Sequence, residues 1–171
     1  KQLISTHHTR LGNILSDEEE LIKSKNYYDK ALKNNCNDLI TLINSSVVDM
    51  ELRDYSSAMK KLNKSINVCP NNELIYYLRG KLFNKLEKYE NAVEDLTLAI
   101  NLNYKTYNSY NQRAKAYSEL GFSEKAAKDY LYASIYSYDR LLNFKSLVNH
   151  THEKHPWFFP GLALLSLSLI G

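Results

Sequence analysis

Small residues recur along this chain at one fixed interval of 34 positions. One series is Ser24, Ala58, Ala92 and Ala126; a second is Ala31, Ser65, Ala99 and Ala133; a third is Gly12, Ser46, Gly80 and Ala114. A period of this size marks a stacked helical array. One such unit cannot bury its apolar face alone, so the core forms only where units lean on one another. This organisation points to a solenoid that offers a surface, not to a chain folded around a reactive pocket.

Composition agrees with a folded array. The chain has 171 residues, 44% hydrophobic and 24% charged, which excludes global disorder. The formal net charge is only +3, from 22 basic and 19 acidic residues. A nucleic-acid binder concentrates basic charge on one face, so nucleic acid is not an expected partner. Cys36 and Cys69 stand at nearly equivalent places in successive units. Packed helices lie about 8–10 Å apart, whereas a disulfide needs Cα atoms within about 7 Å. Free thiols and a reducing, cytoplasmic setting are therefore expected. The sequence starts at Lys1, reads as a fragment or processed product, and has no apolar run over 1–15 that would suggest a signal peptide. Tyrosines number 14 against five phenylalanines; an apolar ring with a polar tip suits half-buried helix positions.

Alignment on the interval gives units 5–38, 39–72, 73–106 and 107–140. In the third, Tyr76, Arg79, Gly80 and Phe83 share one helix face, and Tyr89, Ala92, Val93, Leu96, Ala99 and Ile100 share another. The fourth repeats this with Tyr110, Arg113, Ala114 and Tyr117, then Ala126, Tyr130 and Ala133, with Gly121 at the turn. Pro70-Asn71-Asn72 ends one helix and caps the next. The pattern predicts helices near 5–18, 22–35, 39–52, 55–68, 73–86, 89–102, 107–120 and 123–136.

These residues resemble the tetratricopeptide repeat family: a helix–turn–helix with a large residue early in the first helix, Gly or Ala after it, an aromatic opening the second helix, two small residues along it, and Pro near the end. The likeness covers 5–140. Units three and four fit best; unit two places Asp49 where a large apolar residue is usual; unit one is weakest, with His8 at the first aromatic position. The resemblance implies an all-α, right-handed α-solenoid of antiparallel helix pairs. It also implies a non-enzymatic scaffold or adaptor that binds a peptide segment of a protein partner in a concave groove. An alternative is self-association, with the first unit or the apolar tail docked on another copy.

In the family the first helix of each pair lines the groove. That places Ile40, Ile43, Val47 and Met50 there from unit two, Tyr77, Lys81 and Asn84 from unit three, and Asn108, Asn111, Gln112 and Lys115 from unit four, joined by Asn13 and Asn44. The surface then grades from apolar to amide-rich and basic. Amides can pair with a peptide backbone, and the lysines can hold an acidic group. Some family members clamp an acidic chaperone tail with two Lys, two Asn and one Arg. Here Asn13 and Asn44 match, but Thr9, Leu74 and Leu78 fill the other places, so that activity is not expected.

Arg79 and Asp95 lie 16 apart, as do Arg113 and Asp129; the corresponding places hold Leu11 and Tyr27 in unit one, and Ser45 and Lys61 in unit two. Presence or absence together predicts a contact between the two helices of a unit. His150, His152 and His155 lack the helical spacing of a zinc site, and no phosphate loop or activated nucleophile is present. No cofactor, metal or catalytic residue is therefore expected. Residues 141–150 continue in phase, with Leu141, Phe144, Leu147 and Val148 in one stripe, and read as a capping helix. The tail 151–171 breaks the register at Pro156. Its apolar part, 157–170, is shorter than the roughly 20 residues a spanning helix needs, so packing or disorder is favoured over a membrane anchor. A monomer or weak homo-oligomer is expected.

Overall fold

The computed structural model describes residues 18–104 and 106–137. They form α1 (Glu18–Asn34), α2 (Leu39–Glu51), α3 (Tyr55–Val68), α4 (Glu73–Lys85), α5 (Tyr89–Asn101) and α6 (Tyr107–Glu119). Residues 123–137 are a seventh helical segment, and no strand occurs among the described residues. The chain divides into two compact parts, Lys1–Ala133 and Ser134–Gly171. Of the second, 134–137 are described and are helical. The expected helix over 5–18, the capping helix 141–150 and the tail 151–171 lie outside the described residues, apart from Glu18, which opens α1.

Within Lys1–Ala133 the helices form an α-solenoid. The pairs α2–α3 and α4–α5 pack most extensively; α1 lies on α2, α3 on α4 and α5 on α6. The first helices also meet one another, α2 with α4 and α4 with α6. Every small residue of the three series that is described is buried. An ideal Cβ on Gly80 would stand 2.7 Å from Leu96 Cγ and 3.3 Å from Leu96 N, so the absence of a side chain is what lets α5 close on α4. At two of the serines in these series the hydroxyl is satisfied within its own helix: Ser46 Oγ donates to the Ile43 carbonyl at 2.6 Å and Ser65 Oγ to that of Lys61 at 2.9 Å.

The core follows the same interval. Ile43, Met50, Ala58, Leu62, Ile75, Leu78 and Leu82 form one cluster across units two and three. Ala92, Leu96 and Ala116 form another across units three and four. Asn72 caps α4 by accepting from Leu74 N, and Asp54 and Thr106 cap α3 and α6 in the same way, accepting from Ser57 N and Ser109 N.

The turn inside each unit is also a repeat. Asp54 N donates to the Asp49 carbonyl, Lys88 N to that of Phe83, and Phe122 N to that of Tyr117. These bonds close the helix end around one left-handed residue. That residue is Arg53 (φ 59°), Glu87 (φ 58°) and Gly121 (φ 79°), again 34 apart. Only the last is the residue type that tolerates this region freely.

Two outcomes follow for stability. Ala92→Leu, at a fully buried contact, lowers stability by about 1–3 kcal/mol through overpacking, read as a fall in the denaturant midpoint. Glu87→Gly relieves a left-handed side chain and raises stability by about 1 kcal/mol, read as a higher thermal midpoint with unchanged helical circular dichroism.

Candidate functional site

Charged seams tie the units together, and they decide which cations remain for a ligand. Arg79 leaves α4 and reaches α5, where Nε and Nη2 donate to the two oxygens of Asp95 at 2.7 and 2.8 Å. Its Nη1 donates to Asn63 Oδ1 of α3 at 2.8 Å, in the preceding unit. Arg113 repeats this: two bonds to Asp129 at 2.6 and 2.8 Å and one to Thr97 Oγ1 of α5 at 3.0 Å. Each guanidinium lies against two rings of its own helix, Tyr76 and Phe83 for Arg79, Tyr110 and Tyr117 for Arg113, at 5.7–5.8 Å. The Asp95 hydrogen bonds raise the Arg79 pKa over the opposing effect of burial. For Arg113 burial is the larger single influence, yet the Asp129 bonds together with nearby negative charge still raise it. The expected intra-unit contact is thus present, and each arginine also stitches a unit to its predecessor.

Unit two solves the same problem with opposite polarity. Asp49 of α2 is fully buried; Lys25 Nζ of α1 meets its Oδ1 at 2.9 Å and Lys61 Nζ of α3 its Oδ2 at 2.7 Å. These ammonium contacts neutralise oxygens that have no other hydrogen bond. Lys61 also donates to Ser45 Oγ and lies 3.6 Å from Asp29, while Lys25 meets Asp54 at 2.7 Å. Lys61 and Ser45, which lack the Arg–Asp chemistry, are therefore still partners across the helix pair. The anomalous Asp49 and Lys61 are two halves of one arrangement. Sequence reasoning noted each departure separately; their joint departure from the unit-three pattern was the signal.

The face expected to bind a ligand comes from α2, α4 and α6. Three of its residues need correction. Met50 (1% exposed) and Ile43 (8%) belong to the core cluster with Ala58, Leu62 and Ile75, because the next unit covers that side of α2. Asn84 is also interior, 5% exposed, with Nδ2 donating to the Gln112 carbonyl at 2.9 Å and to Gln112 Oε1 at 3.1 Å. It joins α4 to α6. Val47, Asn44 and Tyr77 are half-buried, and the Tyr77 ring stands 5.0 Å from Tyr104. Burial raises the Tyr77 hydroxyl pKa. Lys81, Asn111 and Gln112 are half-buried; Asn108 and Lys115 are exposed, as is Ile40. Asn111 Nδ2 reaches the Tyr107 hydroxyl at 3.4 Å. Lys81, Asn108 and Lys115 have no partner among the described residues. Asn13 lies outside them.

Among the described residues no group of His, Cys, Asp and Glu could hold a metal, and no helix is long and apolar enough to cross a membrane. The histidines at 150, 152 and 155 lie outside the described residues.

The sequence pattern of the tetratricopeptide repeat matches residues 8–35 and 74–106. Those two segments carry the repeat pattern, and the stacked helix pairs with buried small residues keep the same interval through the units between and after them. No curated protein matches it. Solved structures share the fold. MamA 41-end from Desulfovibrio magneticus RS-1 is 17% identical, with 79% of this chain and 76% of that one covered at a TM-score of 0.71. Another MamA crystal structure is 22% identical over 76% and 71%, at 0.69. A tetratricopeptide repeat protein from Parabacteroides merdae ATCC 43184 is 22% identical over 75% of this chain and 50% of its own, at 0.68.

The seam of unit two has a pH signature. The Asp54 hydrogen bond, over the opposing effect of burial and with help from Asp49, pushes the Lys25 pKa up to about 12. A value above that of free lysine means the contribution is complete below about pH 10.5 and is lost as pH rises to about 12. Asp54 is shifted down by the same bond, so its contribution is present at neutral pH and is lost as pH falls below the ordinary carboxylate range. The expected melting profile is flat near neutrality and falls on both flanks. Lys25→Met reduces both slopes. Asp49→Ala removes the carboxylate shared by Lys25 and Lys61, leaves each with its second acid, and lowers stability by about 1–3 kcal/mol, measured by denaturant unfolding at pH 7.

Proposed function

We propose that the protein is a scaffold or adaptor that binds a peptide segment of a protein partner along the face formed by α2, α4 and α6. The observation that carries this reading is the stripe Asn108, Asn111, Gln112 and Lys115 on α6, joined by Lys81 on α4. Asn108, Lys115 and Lys81 have no partner among the described residues and Asn111 meets only Tyr107 of its own helix, while Gln112 also accepts from Asn84; Arg79 and Arg113 on the same helices are wholly engaged in the array. Polar groups at i, i+3, i+4 and i+7 share one side of a helix. Amides there can donate to and accept from a peptide backbone. Ile40 adds an exposed apolar contact at the unit-two end, with Val47 half-buried behind it.

The free thiols of Cys36 and Cys69 support a reducing compartment, and the cytoplasm is the proposed location. The mild net charge supports protein over nucleic acid as partner, and we assign no catalytic role. Self-association through the first unit or the tail involves residues that are largely outside those described, and no observation favours it.

The test is affinity capture with the full chain, followed by mass spectrometry. Asn108→Trp with Asn111→Trp fills the face without adding charge, and Lys60→Trp places the same bulk on the exposed side of α3. The first pair is expected to lose the specific partners and the second to keep them. Equal retention by both would move the site off the first helices.

A further inference from the structure

The first helices α2, α4 and α6 carry five basic residues: Arg79, Lys81, Lys85, Arg113 and Lys115. Both arginines are turned onto the second helices, where Asp95 and Asp129 hold them. Lys85 has an acidic counterpart, Glu119, at the same place in the next unit. Lys81 and Lys115 recur one interval apart, and neither meets a carboxylate among the described residues. Two like charges at equivalent places on adjacent helices make a ruler for an anionic ligand.

The ruler has a length. Helices α4 and α6 are in direct contact through the Asn84–Gln112 bonds, which sets their axes about 8–10 Å apart. Same-side residues of a β-strand recur about every 7 Å, too short a step. A polyproline-II segment has three residues per turn and rises about 3.1 Å per residue, so residues i and i+3 share a side about 9 Å apart. That conformation leaves its backbone N–H and C=O groups bare. An α-helix satisfies its own backbone and has no use for a row of amides. Asn108, Asn111 and Gln112 supply that row beside Lys115.

We propose that units three and four take an acidic segment in polyproline-II conformation, its carboxylates at i and i+3 engaging Lys81 and Lys115 and its backbone engaging Asn108, Asn111 and Gln112. The assignment rests on the reading of this face as a peptide groove and adds the charge, spacing and conformation of the ligand.

Fluorescence anisotropy on the full chain tests it with labelled proline decapeptides. One carries Glu at its fourth and seventh positions, one at its fourth and sixth, and one has Gln at the fourth and seventh. An alanine-rich helical peptide with Glu at its second and ninth positions is the competitor class. The four–seven Glu probe is expected to bind about tenfold tighter than the Gln probe, as two exposed ion pairs supply. The advantage fades as salt is raised. It disappears in Lys81→Glu with Lys115→Glu, and a proline probe with Lys at the fourth and seventh positions binds that variant instead. Lys81→Gln with Lys115→Gln serves as a second variant, with circular dichroism reporting the fold of both. Equal binding of the Glu and Gln probes, preference for the four–six or helical probe, or no binding of any probe overturns the proposal. If N108W/N111W still loses its captured partners, the groove reading survives that failure; if it keeps them, the groove reading fails as well.

Discussion

Contact between helices with no clearance is the constraint on which the rest depends. At Gly80 a single methyl group would press on Leu96 at 2.7 Å. At Ala58, Ala92 and Ala99 the side chain is already completely covered. Backbones this close leave room for few large side chains between them, so the larger apolar residues gather at the flanks, in the two clusters that bridge successive units. A solenoid core is thin and continuous. Its stability therefore depends on each seam holding, because no central mass compensates for a loose one.

The seams show how far the chemistry can vary while that geometry stays fixed. Units three and four send an arginine from the first helix to an aspartate on the second. Unit two places the acid on the first helix as Asp49 and the base on the second as Lys61, and recruits Lys25 from the preceding helix. Asp49 occupies the position of Phe83 and Tyr117, the rings that flank the arginines in the later units. Where unit two has no arginine at the seam, the smaller carboxylate stands in place of the ring. A buried charge is tolerated only when paired, so the exchange requires Asp49 and a basic partner to change together. The lysine heads remain partly exposed, 27% for Lys25 and 13% for Lys61; that keeps part of their hydration while the carboxylate loses all of its own.

Much of the fold was legible because spacing alone encodes it. From Leu39 onward the helix ends fall within a residue or so of the periodic reading, and Asn72 caps α4 as the Pro70-Asn71-Asn72 cluster predicts. Helix α1 starts earlier than the periodic reading, at Glu18, because its polar opening Glu18-Glu19-Glu20 carries no apolar beat yet suits a helix N-terminus. The candidate site was legible only in part. Ile43 and Met50 share a helix face with Val47, and periodicity assigns a residue to a face without saying how much of that face the next unit covers. Neighbouring first helices touch here, so the flank of α2 nearer α4 is core and only the remainder can meet a ligand. Asn84 is interior for the same reason: its amide joins α4 to α6. The unit-two seam is less legible, because a pair with reversed polarity and a one-turn offset from the Arg–Asp position shares no fixed interval with the other units.

The division of labour among basic residues follows from reach. At the seam position of α4 and α6 a side chain must span to the second helix of its own unit and also to the preceding unit, and must bond an acid and an amide or hydroxyl together. A guanidinium does this with a planar fork of five donors, and Arg79 and Arg113 use it in full, down to Nη1 on Asn63 and Thr97. Two residues further on, 200° around the helix axis by the geometry of about 100° per residue, the side chain points away from the second helices. A compact ammonium on a flexible stem suits that side, because it can follow a ligand without a fixed fork to satisfy. Arginine inside and lysine outside are therefore consequences of one helix seen from opposite sides. The first holds the array in register, and the register in turn fixes the distance at which the second is repeated.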